Sequence, residues 1–246
     1  MFFKTFLTVV GFSSLFSVAM ASNSAVIPSP IEKMYIPMGF DDNDNIEIVL
    51  AGNFRNSCYK VTNSDFKVDQ SNKTITLFPK SIEYNNSICA QMIVPFLQTL
   101  KIGTLEVGTY KVLIGSSQSV ASQELIVSPR HTEAPDDYIY APVDDASLDF
   151  TNPNGAQSIS VSGNYPLTFV GCAMMNEIKL IQTPGNVLVV MPIMDLLTSD
   201  DECKSRHWTP KFLNKVALPN RLPQGEYLVH VRVLNGSSYN KVITIK

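Results

Sequence analysis

Two cysteine pairs with identical spacing constrain this chain more than any other feature. Cys58 and Cys89 lie 31 positions apart, and so do Cys172 and Cys203. The same frame surrounds each pair. In the first half Gly52-Asn53-Phe54 precedes the cysteines, and Leu105-x-x-Gly108-x-Tyr110-x-Val112 and Gly115-Ser116-Ser117 follow. In the second half the corresponding runs are Gly163-Asn164-Tyr165, Leu222-x-x-Gly225-x-Tyr227-x-Val229 and Gly236-Ser237-Ser238. Four cysteines permit three pairings, and composition does not choose among them. A tandem repeat does choose: copies that fold as separate units each close their own bond, Cys58–Cys89 and Cys172–Cys203. Closing a loop of that size restricts the unfolded chain by about 3.5 kcal/mol on chain-entropy reasoning. A zinc site or a catalytic thiol fits poorly, since no C-x-x-C occurs and a nucleophile needs a free thiolate.

Between the cysteines the chain reads as short strands punctuated by turns. In the first half these are Ile46–Ala51, Cys58–Val61, Phe66–Asp69, Thr74–Phe78, Ile88–Val94, Thr109–Ile114 and Ser122–Val127. In the second they are Ser158–Ser162, Leu167–Cys172, Glu177–Gln182, Val187–Met191, Phe212–Leu218, Glu226–Leu234 and Lys241–Lys246. Turn formers separate them, among them Ser71-Asn72-Lys73 and Thr183-Pro184-Gly185-Asn186, which predicts antiparallel sandwiches or barrels. Pro95–Ile102 fits either one or two helical turns or a strand edge, and Met194–Leu197 fits a helical turn. Ser22–Met34 reads as a polar lead-in, and Tyr140-Ala141-Pro142 with Asp144-Asp145 echoes Tyr35-Ile36-Pro37 with Asp41-Asp42. The expected organisation is an export signal at 1–21, a first β-sandwich at 22–128, a proline-punctuated linker at 129–137 and a second β-sandwich at 138–246. The fold class is all-β: two tandem homologous antiparallel sandwiches, each with one disulfide.

The Leu-x-x-Gly-x-Tyr-x-Val run resembles the penultimate-strand signature of immunoglobulin-like and fibronectin-III-like domains of exported bacterial proteins. The resemblance implies that Tyr110 and Tyr227 hydrogen-bond back across a corner. It covers roughly thirty residues at the end of each copy. The chain departs from antibody domains in three ways: its cysteines are close together, both precede the tyrosine, and Trp208 follows the last cysteine. The sandwich architecture is therefore the expectation, not that family's topology.

The first residues fit a secretory signal, with Lys4, an apolar run from Phe6 to Met20, and Ala19-Met20-Ala21 before a cut at Ser22. The run holds Gly11, Ser13, Ser14 and Ser17, so no transmembrane segment is expected in the mature chain. The expected compartment is the periplasm or the medium, where disulfides persist. Charged residues are 17% of the chain, the net charge is −3, and there is no basic run, which argues against a nucleic-acid partner.

Candidate chemistry is sparse. Asp41, Asn43 and Asn45 occupy the first, third and fifth places of a calcium loop, but Ile46 stands where its glycine belongs and Gly52 where its glutamate belongs. Calcium is the only cofactor these residues suggest; a solvated Asx-rich loop is the plainer reading. Met174, Met175, Met191 and Met194 suggest soft-metal ligation less strongly than core filling. The three histidines, His131, His207 and His230, show neither a metal-ligand spacing nor a nucleophile elbow. Arg206-His207-Trp208 is the best candidate for ligand contact, because Arg and Trp dominate recognition hot spots. The expected role is non-catalytic: a tandem platform for a protein or glycan partner. The alternatives are a protease inhibitor acting through Pro95–Thr104 or Lys204–Asn214, and a metal-dependent hydrolase using the Asp-rich loops.

Overall fold

The structure, a computed structural model, describes residues 24–85, 88–115, 120–149, 157–169, 171–197, 199, 201, 203, 209–218 and 222–245. Residues 1–21, expected to be an export signal, lie outside them.

Alternation organises each strand. In β4 (Ile46–Phe54), Ile46, Ile48 and Leu50 enter one core while Val49, on the opposite face, is equally buried. The run holds a single charge, Glu47, and both of its faces are covered. β4 sits between β2 (Ile31–Tyr35) and β9 (Val94–Gly103) in a three-stranded antiparallel sheet. Across the first core lies a five-stranded sheet. Its order is β3 (Phe40–Asp41), β11 (Gln123–Ser128), β10 (Gly108–Ile114), β7 (Thr74–Phe78) and β6 (Asp65–Asp69). Tyr110, Val112, Ile75, Leu77 and Leu125 fill the space between the layers. A small flanking sheet of β1 (Ser24–Pro28), β8 (Lys80–Tyr84) and β5 (Tyr59–Val61) lies beside the Cys58–Cys89 disulfide.

The second half has the same arrangement. β12 (Val143–Asp149), β13 (Ser158–Asn164) and β16 (Lys211–Ala217) form its three-stranded layer. β14 (Ala173–Thr183), β15 (Val187–Leu196), β17 (Gly225–Val233) and β18 (Ser237–Ile245) form the facing layer. Its core holds Ile159, Val161, Leu188, Val190, Tyr227 and Val229. The second disulfide joins Cys172 to Cys203, so each sandwich closes its own bond as expected.

The correspondence extends to atoms. A Cβ on Gly52 would meet the Pro30 carbonyl at 2.0 Å, and one on Gly163 the Pro142 carbonyl at 2.1 Å. Asn53 donates to Glu32 at 2.9 Å, and Asn164 to Asp144 at 2.6 Å. The tyrosines implied by the resemblance do bond back four residues, Tyr110 to the Glu106 carbonyl at 2.9 Å and Tyr227 to the Pro223 carbonyl at 3.1 Å. Each sandwich also has a parallel pair, β7 with β10 and β15 with β17, and β3 adds another on β11.

Several local expectations are corrected. The polar lead-in is two strands: β1 is an exposed flank that ends in a proline, as an edge strand tolerates, and β2 carries Met34 into the core. Of the two readings of Pro95–Ile102 the strand edge holds: the segment lies in β9, whose edge position admits Pro95. Ile88–Ile93 is not strand, and Leu167–Phe169 is a 3-10 turn. Met194 continues β15. Pro192 is accommodated because β15 pairs with β17 only over Val187–Val190; past that point its carbonyl accepts Ala141 N–H at 2.8 Å. The same bond in the first half runs from Ser29 to Pro79 at 3.0 Å. The true counterpart of Ala141-Pro142-Val143 is therefore Ser29-Pro30-Ile31, not Ile36-Pro37, and Asp144-Asp145 matches Glu32-Lys33 rather than Asp41-Asp42.

Candidate functional site

The two sandwiches meet face to face, and the seam between them gathers most of the chemistry. The outer face of the β2-β4-β9 sheet presents Tyr35, Val49, Ala51 and Leu97. Against it lie Val187, Val189, Met191 and Leu228 of β15 and β17, with Tyr140, Ile193 and Val242. Val49, Val187, Val189 and Leu228 are fully buried, so the four sheets form one continuous stack. At about 25 cal/mol per Å² of apolar surface, each such side chain contributes roughly 1.5–3 kcal/mol to holding the seam closed.

One margin of the seam is polar and buried. Arg232 on β17 reaches across to Asp44 at 3.4 Å, to the Tyr140 hydroxyl at 3.4 Å and to the Gly39 carbonyl, and lies 4.6 Å over the Phe40 ring. Its side chain and that of Asp44 are 10% and 7% exposed. Glu47 accepts from Ser238 and faces Lys101 at 3.9 Å. Burial pushes the Asp44 carboxyl up to about 6 although Arg232 pulls it back, and burial also raises Glu47 and Asp136. His230, beside them, is pushed down to about 4 by burial, against its 2.8 Å bond to Asn240.

This margin explains the acidic stretch that resembled a calcium loop. Asp41 accepts the Asn43 N–H at 3.1 Å and its own N–H goes to Asp44 at 3.0 Å. Asn43 donates to the Thr132 and Ala134 carbonyls at 3.0 and 2.9 Å, and Asp42 takes the Arg130 N–H at 3.0 Å. The Asp42 carboxylate and the Asn43 amide N–H turn to the linker, and the Asp44 carboxylate turns to Arg232 of the second sandwich. Among the described residues no group of three His, Cys, Asp or Glu side chains could hold a metal ion. Arg206, His207 and Trp208 lie outside the described residues, and of Asp200-Asp201-Glu202 only Asp201 is described. Pro95–Thr104 is paired strand through Gly103, so it projects no inhibitory loop.

At the other margin the sheets splay into a crevice of about 510 Å³, floored by Tyr35, Ala51, Leu97 and Val242 and rimmed by Glu32, Lys33, Asn53 and Lys241. The Lys33–Glu226 ion pair bridges the two sandwiches here. Beyond that bridge a second hollow of about 260 Å³ continues past Gln123 and Asn186. Tyr35, Lys33, Glu32 and Glu226 line both. Tyr35 is 3% exposed, and its hydroxyl has no hydrogen-bond partner among the described residues. Burial, with Glu226 close by, raises its phenol although Lys33 opposes this. No motif in the sequence marked the crevice. Its residues come from five strands, β2, β4, β9, β17 and β18, and the one available signal was apolar side chains on the outward face of β4.

Residues 48–122 match the model of a protein family described as ORF11 beta-sandwich domain. That stretch runs from β4 to the residue before β11, wholly within the first sandwich. No curated protein and no solved structure matches the chain. Among the described residues no helix is long and apolar enough to cross a membrane.

Proposed function

We propose that this is an exported, non-catalytic binding protein whose two sandwiches, descended from one duplicated domain, act as a single rigid platform for a protein or glycan partner. The observation that carries the reading is the seam. Fully buried Val49, Val187, Val189 and Leu228 tie the sandwiches into one body, and the crevice lies on the line between them. A site built from both halves exists only while they are stacked. Two closed disulfides are in keeping with export.

The test is retention of partners from the exported fraction and from a glycan array by immobilised full-length protein, run beside Leu228→Lys, which opens the seam. The platform reading expects a retained partner that the variant loses. Equal retention by both proteins, or turnover of a small-molecule substrate by the native chain, overturns it.

A further inference from the structure

We propose that the crevice receives an extended peptide segment of a protein partner, which adds to β18 as the next strand of its sheet and brings a basic residue to Glu32. The inference rests on the platform reading and specifies its partner.

Comparing the two halves shows where a strand can be added. In the first sandwich the facing layer has five strands, and β3 lies beyond β11. β11 follows β10 as β18 follows β17, each pairing from the turn glycine, Gly108 with Val127 and Gly225 with Ile245. Among the described residues no strand lies beyond β18.

The direction of the backbone groups on that edge follows from the register. Leu228 N–H donates to the Asn186 carbonyl at 2.9 Å, on the β15 side of β17. Val242 stands opposite Leu228, so its own N–H and carbonyl point away from β17. Alternation gives Asn240 and Thr244 the same direction. Asn240, Lys241 and Val242 line the crevice, so part of an open ladder stands at its wall. The other edge strand there, β9, is a poorer template, because Pro95 has no N–H to give. A peptide paired on β18 gains main-chain bonds and lays alternate side chains over the apolar floor of Ala51 and Leu97. A sugar has no such ladder to offer.

Charge selects one of those side chains. Lys33 pairs with Glu226, and Lys241 with Asp145 at 2.9 Å. Glu32 accepts from the neutral Asn53 amide at 2.9 Å and makes no ion pair among the described residues. The rim therefore keeps one carboxylate for a lysine or arginine of the partner.

The experiment selects linear nonapeptides displayed on phage against the immobilised full chain. The recovered peptides, made synthetically, are then titrated by fluorescence anisotropy beside Val242→Pro and Glu32→Gln. Val242→Pro removes one outward N–H and spares the ladder to β17, and should weaken binding about tenfold. Glu32→Gln should weaken basic peptides about threefold. Methylating alternate peptide amides reads the same ladder from the ligand side, independently of how the variant folds. One register of methyls should cost about tenfold and the other almost nothing. Equal binding by both methylated registers and the parent peptide overturns the strand addition, and recovered peptides without basic residues overturn the role of Glu32. A native chain that is dimeric by light scattering, with Val242→Pro monomeric, gives the edge to a second copy and sinks the peptide partner. If no peptide is recovered but a partner is retained that Leu228→Lys loses, the peptide inference falls and the platform reading stands.

Discussion

The same sheet face occurs twice in this molecule, once inside the seam and once outside it. On β4 the seam face reads Glu47, Val49, Ala51; at the corresponding positions of β13 it reads Ser158, Ser160, Ser162. On β15 the seam face is Val187, Val189, Met191, while its counterpart on β7 is Thr74, Thr76, Phe78. Register places Leu228 of β17 where Lys111 stands on β10. The inward faces carry apolar residues in both halves, so it is the outward faces that record which surface meets a neighbour. One backbone has been given two surfaces. Exposed Phe78, Ile126 and Leu213 show that the solvent faces are polar in the main rather than throughout.

Substitutions that exchange the two faces test this most severely. Leu228→Lys buries an ammonium in the seam, with an expected loss of about 3–5 kcal/mol in urea melts, whereas Lys111→Leu should stay within about 0.5 kcal/mol. Arg232→Ala, which strands Asp44, belongs in the same large class. Similar losses for Leu228→Lys and Lys111→Leu would break the comparison. By contrast, Gly52→Ala and Gly163→Ala should be alike, each losing about 2–3 kcal/mol, since both new methyls collide with a proline carbonyl.

The polar margin gives a pH signature. The Asp44 carboxyl is raised in the folded state, so its contribution is fully present below about 3.8 and is lost as pH rises through about 6. Glu47 and Asp136, also raised, act with the same sign. His230 is lowered, so its contribution is present above about 6.5 and is lost as pH falls through about 4. Between pH 4 and 6 the two slopes oppose each other. Melts of His230→Gln should therefore show stability growing by about 2 kcal/mol on acidification from pH 6 to 4, and those of Asp44→Asn should show it falling. Parallel curves for both variants would show that these groups do not titrate as their burial implies.

The smallest effect concerns the corner tyrosines. Tyr227→Phe should lose about 1 kcal/mol in thermal melts and Tyr110→Phe somewhat more, because the Tyr110 hydroxyl also meets Gln70 and Lys73.

What could be read in advance was whatever is local. Thr74–Phe78 alternates cleanly and is a strand with those bounds, and equal cysteine spacing was enough to pair the disulfides. β1 and β2 were hidden because proline and polar residues are tolerated on a flank, and β9 stayed divided between helical turns and a strand edge because its apolar spacing fits both. The seam was harder. Val187, Val189 and Met191 look like ordinary core residues until the partner face is known. Asp41, Asn43 and Asn45 resembled ligands because oxygen-rich loops serve metals and linkers alike.

One consequence follows from how the sandwiches stack. The three-stranded layer of the first rests on the four-stranded layer of the second, a head-to-tail contact between unlike surfaces. Such a contact does not close on itself: repeated, it grows into an open filament. Ser158, Ser160 and Ser162 at one end and Thr74, Thr76 and Lys111 at the other act as end caps, so the growth rule implicit in the fold terminates after two units. Giving β13 the Glu47, Val49 and Ala51 of β4 in place of those serines, and giving Thr74, Thr76 and Lys111 the Val187, Val189 and Leu228 of the second sandwich, would restore the rule and make a two-unit chain into a polymerising one.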